Sequence, residues 1–281
     1  MSPASTEQFL LEQYTGHPAS QLQDLRKALY QSVFGCEHLI TDTSAAAEGI
    51  RREAAEAGPC SREIEALDGP WSRVQLGVLA DGLTPETLSR MFARSAAMSH
   101  GDADALQEKL TVLRRLIRSG ALPYSPAEAD AELDDWRKNG FPACRHSEEY
   151  RAAYRPAYRV LHRTYVRLLP LLAAIDRALA ENPRVLLAIE GGAASGKSTL
   201  ADLLTAIYPD TALFHADDFF LRPEQRTAVR YAQPGGNLDR ERLESEILIP
   251  ISRNKAAVYR PFNCRTLSLR EPVTVLPGRL N

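Results

Sequence analysis

Apolar residues recur at helical spacing through the first two thirds of the chain. Leu106, Leu110, Leu113 and Ile117 lie on one helical face, with Asp102 or Asp104 ahead of them as a cap and Gly120 behind, so a helix is predicted there. Thr84-Pro85-Glu86 supplies an N-cap followed by proline at the first helical position, which predicts a helix to about Met98. Ser125-Pro126-Ala127-Glu128 has the form of a capping box, and a helix is expected from it to Gly140. Residues 20–40 and 44–57 also read as helices, and 73–79 as a short strand. A long helix is expected over 157–181, ended by Asn182-Pro183.

The pattern changes near residue 182. Residues 184–190 (RVLLAIE) form a short apolar run, as in a buried parallel strand. A glycine-rich turn follows over 191–196, then a predicted helix over 197–207 and a second short strand over 211–215. Strand, turn, helix and strand in that order predict α/β architecture with a parallel sheet. Two domains are therefore expected: a mainly helical one over 1–181 and an α/β one over 182–281.

Composition narrows the classes. The 281 residues are 44% hydrophobic and 25% charged, which excludes wholesale disorder and a disulfide scaffold. The net charge of −2 gives nucleic acid or an anionic membrane little to bind. Cys36, Cys60, Cys144 and Cys264 include no C-x-x-C pair, so a zinc site is not expected and a reducing compartment is. No stretch is apolar enough to span a bilayer, and the first residues lack the form of a secretory signal. A cytoplasmic protein is expected. Glu37-His38, His100 and His146 have no ligand-like spacing and read as helix-end or packing residues.

The chemistry is concentrated in Gly191-Gly192-Ala193-Ala194-Ser195-Gly196-Lys197-Ser198, which matches G-x-x-x-x-G-K-[ST], the Walker A phosphate-binding loop. Glycines let the backbone curl so that its N–H groups converge on phosphate oxygens. The following helix presents free donors and its positive dipole end to the same anion. Lys197 adds a full charge near the β- and γ-phosphates, and Ser198, with Thr199 beside it, offers a hydroxyl to Mg²⁺. ATP and Mg²⁺ are the expected cofactors. A guanine-reading N-K-x-D is missing, since Asn254-Lys255 is followed by two alanines.

Further motifs follow in order. Asp217-Asp218-Phe219-Phe220, then Pro234 to Asp239, then Tyr259-Arg260-Pro261-Phe262 make the region over 183–275 resemble the uridine kinase, phosphoribulokinase and bacterial pantothenate kinase group of P-loop kinases. The resemblance covers about a third of the chain. It implies a P-loop NTPase fold and transfer of the ATP γ-phosphoryl group to a hydroxyl of a small molecule, a nucleoside first. Asp217 matches the acid/base residue facing the acceptor, and Phe219, Asp239, Tyr259 and Arg260 fall in segments that line the acceptor side. Asp218 is a candidate for holding hydrated Mg²⁺. His215, Arg222 and Arg226 read as local packing or solvated residues. In the resembled kinases a further strand and an arginine-bearing lid come later, so the chain is expected to carry only the first part of such a domain, with self-association through an exposed sheet edge. An ATP-binding regulatory or adaptor protein, or an inactive kinase fragment, is the alternative.

Arg151, Arg155, Arg159, Arg163 and Arg167 recur every four residues, with Tyr150, Tyr154, Tyr158 and Tyr165 between them. On a helix this is a basic stripe. Pro156 interrupts it, and a solvated face with tyrosines packed against a neighbour is the expected use.

Overall fold

The computed structural model describes residues 3–36, 42–58 and 60–281. Glu37 and His38 lie outside them. Helices form where a periodic apolar face meets a local stop or start signal. Helices α1 (Pro3–Gly16), α2 (Leu22–Phe34) and α3 (Thr43–Ala57) open the chain. Helix α4 (Pro85–Ala96) starts at Thr84, whose hydroxyl accepts the Thr87 amide at 3.2 Å, and Pro85 occupies the first turn, where no N–H is needed. Helix α5 (Ala103–Arg118) is capped by Asp102, which accepts the Ala105 amide at 2.6 Å. Its predicted face, Leu106, Leu110, Leu113 and Ile117, is buried, and the helix packs against α1, α2 and α6 (Pro126–Lys138). At α6 the expected capping box is missing: the Ser125 side chain makes no cap hydrogen bond.

A three-stranded antiparallel sheet sits among these helices in the order β1 (Ile64–Ala66), β2 (Trp71–Gln75), β3 (Tyr158–His162). Trp71 faces His162 and Gln75 faces Tyr158 in the register. A 3₁₀ turn, Leu76–Asp81, follows β2.

Strand β3 corrects the expected helix over 157–181. Helix α7 (Glu148–Tyr154) ends at Arg155, which adopts a left-handed conformation with φ of 44°. Pro156 then has no amide to continue a helical ladder. The next residues pair with β2 before the chain returns to helix in α8 (Arg163–Val166) and α9 (Leu169–Glu181). The arginines at four-residue spacing therefore do not share a helix face. Arg159 pairs with Glu53 at 2.7 Å, and Arg163 donates to the Gly69 carbonyl at 2.6 Å.

The chain divides into two units, residues up to Asp176 and Arg177–Asn281. In the second unit, α10 (Lys197–Ile207) is the longest regular element. After it come short helices α11 (Ala228–Tyr231), α12 (Arg240–Leu243) and α13 (Ile249–Ser252), the last two joined by a π-helical turn, Glu244–Leu248. Strand β4 (Ala257–Tyr259) pairs with β7 (Val273–Val275), and β5 (Phe262–Asn263) with β6 (Ser268–Leu269), both antiparallel. Phe219, Ile247, Ile251, Ala257 and Tyr259 form a buried cluster.

The expected parallel sheet of a P-loop NTPase is not formed among the described residues. All the sheets among the described residues are small and antiparallel. Parallel pairing is confined to isolated bridges from Leu280 to Val185 and to Thr211. The Leu187 amide reaches the Asn281 carbonyl at 2.8 Å, and no strand is assigned over 184–190 or 211–215. An apolar run becomes a strand only where a neighbour satisfies its backbone groups.

Candidate phosphate-binding site

The loop over 191–196 is fully solvent-facing and leads directly into α10. Its shape depends on small residues. A Cβ on Gly191 would lie 2.6 Å from Ser195 Oγ, closer than real side chains come. Ala194 has φ of 58° and Gly196 has φ of 87°. For Gly196 the left-handed conformation costs little, whereas Ala194 carries some strain, which clusters at ligand-binding loops. The Ser195 amide closes the turn onto the Gly192 carbonyl at 3.3 Å.

Gly196 is the N-cap of α10, and no side chain caps this helix. The first intrahelical bond is Leu200 N–H to the Gly196 carbonyl at 2.9 Å, so the amides of the first turn have no partner in the helix itself. Lys197 lies over the turn: its Nζ donates to the carbonyls of Gly191 at 2.9 Å and Gly192 at 2.8 Å. An ammonium held by two neutral carbonyls, next to uncapped helical amides, concentrates positive potential on one exposed loop. Ser198 and Thr199 are exposed in the first turn of α10. This donor set fits a polyphosphate. Ser198 would offer its hydroxyl to Mg²⁺, which would neutralise and orient the phosphates when bound. Among the described residues, no group of three or more His, Cys, Asp or Glu side chains is placed to hold a metal by itself.

The remaining sequence-predicted residues fall into two groups. Asp217 is exposed on a 3₁₀ turn, Ala216–Phe219, and is available to solution. Asp218 is half-buried and accepts the Tyr259 hydroxyl at 3.5 Å, the long limit of a hydrogen bond. Burial, with the Asp218 charge second, pushes the Tyr259 phenol above its ordinary value. Phe219, by contrast, is wholly buried, stacked on Tyr259 with ring centroids 5.2 Å apart. Asp239 is buried and caps α12, accepting the Arg242 amide at 3.2 Å and the Gln225 side chain at 2.8 Å. Arg260 donates to the carbonyls of Arg270 at 2.7 Å and Leu269 at 3.3 Å. These three hold the local chain together. Arg226 does the same, donating to the Leu221 carbonyl at 3.0 Å, and His215 is exposed.

The structure thus places Gly191, Gly192, Ala193, Ala194, Ser195 and Gly196 in one exposed loop that runs directly into α10, whose first residues are Lys197, Ser198 and Thr199. Among the described residues, no hydrogen bond or ion pair joins Lys197 or Ser198 to Asp217 or Asp218. No family model, curated protein or solved structure matches the chain. No helix of the described residues is long and apolar enough to cross a membrane.

Proposed function

We propose that the chain is an ATP- and Mg²⁺-dependent phosphotransferase acting on a hydroxyl of a small molecule, a nucleoside first. The observation that supports it is Lys197 held across the Gly191 and Gly192 carbonyls at the uncapped start of α10. Phosphoryl transfer asks for positioning and cancellation of charge, with little covalent chemistry from the protein. In this reading the loop amides and Lys197 bind the β- and γ-phosphates. Lys197 exchanges two carbonyl acceptors for a charged oxygen, a stronger bond. The exposed Asp217 carboxylate accepts the hydrogen of the acceptor hydroxyl and orients its oxygen.

A second reading, ATP binding without transfer, is favoured by the local structural employment of Phe219, Asp239 and Arg260. Calorimetry with ATP and Mg²⁺ separates both readings from no nucleotide at all. A charged hydrogen bond contributes ~1.5–3 kcal/mol, so Lys197→Ala is expected to weaken ATP binding ~10–100-fold. Acceptor-dependent ADP release across nucleosides, pantothenate and sugar phosphates then decides between them. Turnover that Asp217→Asn abolishes, with ATP affinity kept, supports transfer. ATP binding with no turnover on any acceptor leaves the second reading, and wild-type chain that does not bind ATP ends both.

A further inference from the structure

The first unit holds a chain of hydrogen bonds that the phosphate site does not use. Helix α2 places Asp24, Lys27 and Gln31 along one side, and β3 brings Tyr158. His146 stands between them: Nδ1 is 2.8 Å from Asp24 Oδ1, and Nε2 is 2.6 Å from the Tyr158 hydroxyl. Burial, the dominant influence, lowers the imidazole to about 4, so it is neutral near pH 7. A neutral ring beside a carboxylate carries its proton on Nδ1, which donates to Asp24 and leaves Nε2 to accept from Tyr158. Gln31 Nε2 donates to the same hydroxyl at 3.3 Å, and Gln31 Oε1 accepts from Arg73 Nε at 2.9 Å. The ring lies flat against Tyr150, 4.1 Å between centroids. Ser147 donates twice more to Asp24. Every member is fixed before any ligand arrives.

This wall borders a cavity of about 370 Å³, within the size range of small-molecule sites. Among the described residues, two cations line it, Lys27 and Arg159, and no carboxylate does. Lys27 Nζ donates to the Cys144 carbonyl at 2.9 Å, a neutral partner. Arg159 is paired with Glu53, which is outside the lining. Phe92 and Val160, both buried, supply apolar surface on the cavity. Positive charge with no lining carboxylate among the described residues, a rigid polar wall and an apolar floor together describe the complement of one ligand class.

We infer that this cavity binds a small organic anion, a carboxylate or phosphate monoester on an apolar or aromatic body, with its charge at Lys27 and Arg159 and its body against Phe92 and Val160. Gln31 then offers its second Nε2 hydrogen at the polar end. The site is independent of the phosphate loop and of ATP.

Calorimetry on the full chain with benzoate, phenyl phosphate and neutral benzyl alcohol tests it, in wild type and in Lys197→Ala to silence the loop. At least one anion is expected to bind in both backgrounds, at least tenfold tighter than benzyl alcohol. Benzoate alone identifies a carboxylate site and phenyl phosphate alone a phosphate-ester site. Lys27→Met, checked for folding by circular dichroism, should lose tenfold or more. Should Lys27→Met not fold, Arg159→Gln is read instead, with the same loss expected. No saturable binding of either anion at millimolar concentration overturns the inference. So does equal binding of benzyl alcohol, disappearance of binding in Lys197→Ala, or a folded cavity variant with unchanged affinity.

Discussion

The two units treat polar and apolar groups in opposite ways. In the first, charged and polar side chains go inside and most find partners there, although Arg73 Nη2 and Arg26 Nε are buried without one. Arg73 is 1% exposed, bonded to Gln31, Gln13 and Glu65. Lys109 is buried against Asp68, Ser32 and the Asp68 carbonyl. Large hydrophobic side chains are covered, and Ile64 is the one exposed among the described residues of that unit. In the second unit Leu186, Val229, Tyr231, Val258 and Leu276 are all more than half exposed, and the buried cluster around Phe219 is small. Long amphipathic helices close over a shared core in the first unit. The short elements of the second have too little face to do so. The contrast teaches where rigidity resides: the cavity beside His146 is built into a locked network, whereas the 191–196 loop lies exposed on a thinly packed unit. Loops of that kind are drawn from the less stable parts of a protein because binding requires them to move.

The largest effect should come from breaking a buried charge pair in the first unit. Removing one partner leaves the other uncompensated, at a cost of ~3–5 kcal/mol. Asp68→Ala is expected to lower unfolding free energy by that amount, and Asp68→Ala with Lys109→Met to recover most of it, both read from urea unfolding. If the double variant is no better than the single, the pair is not what Lys109 contributes.

Next in size is Phe219→Ala, which opens a cavity in the small cluster of the second unit. Loss of a buried phenylalanine side chain costs ~3–5 kcal/mol where the surroundings cannot collapse. The cluster is small and bordered by only partly buried Phe214, Leu243 and Val275, so partial collapse is expected, which places it near the lower end of that range. Hydrogen exchange should show amides around 243–262 losing protection, while those of β2 and β3 keep theirs. Equal loss in both regions would mean that the two units are not energetically distinct.

A smaller effect follows from pH and should again separate the units. In the folded chain His146 binds its proton only near pH 4, against 6.5 for an ordinary imidazole. Between those values the unfolded chain takes up a proton that the folded chain does not, so stability falls as pH falls. From pH 6.5 to 5 the loss is ~2 kcal/mol. Asp24, held below the ordinary carboxylate range, despite burial, by its bonds to His146 and Ser147, adds nothing until pH drops below about 3.8. His146→Phe should flatten the profile between pH 5 and 7. In the second unit exposed Glu241 is also depressed by its hydrogen bond from Arg230, to about 2, which lies far from this window. A slope that survives His146→Phe assigns the titration elsewhere.

What the sequence made legible was what depends on near neighbours. The caps Thr84 and Asp102 and the face of α5 are local, and they are found where expected. The 191–199 motif is consecutive, so the exposed turn and the helix start that follows it fall where its pattern predicts them. Strand β3 was illegible because Arg155 to Arg167 fits helical spacing, while the deciding facts were a proline and a partner strand more than eighty residues earlier. The parallel sheet failed for the same reason in reverse. Residues 184–190 have the composition of a strand, but only Val185 and Leu187 find backbone partners, at the far end of the chain. Asp239 looked like a ligand residue because its donors, the Gln225 side chain and the Arg242 amide, are not written in its motif. The Asp24–His146 contact spans 122 residues, and no spacing rule reaches that far.

The smallest expected effect tests how far a cap motif can be trusted. Thr84 and Ser125 both precede a proline and both match the N-cap pattern, yet only Thr84 caps. Its hydroxyl accepts the Thr87 amide and also donates to Asp176 at 2.9 Å. Thr84→Ala is therefore expected to cost ~1–2 kcal/mol. Ser125 makes no such bond, and Ser125→Ala should stay within ~0.5 kcal/mol of wild type, as for an ordinary surface substitution. Both variants report on the first unit, where the first unfolding effect is also read, so the same urea titration measures them. Equal costs would mean that Ser125 caps α6 in solution and that the motif outranks the geometry. Unequal costs would leave α6 and α10 as two helices without a side-chain cap, of which only α10 has a lysine folded back over its first turn.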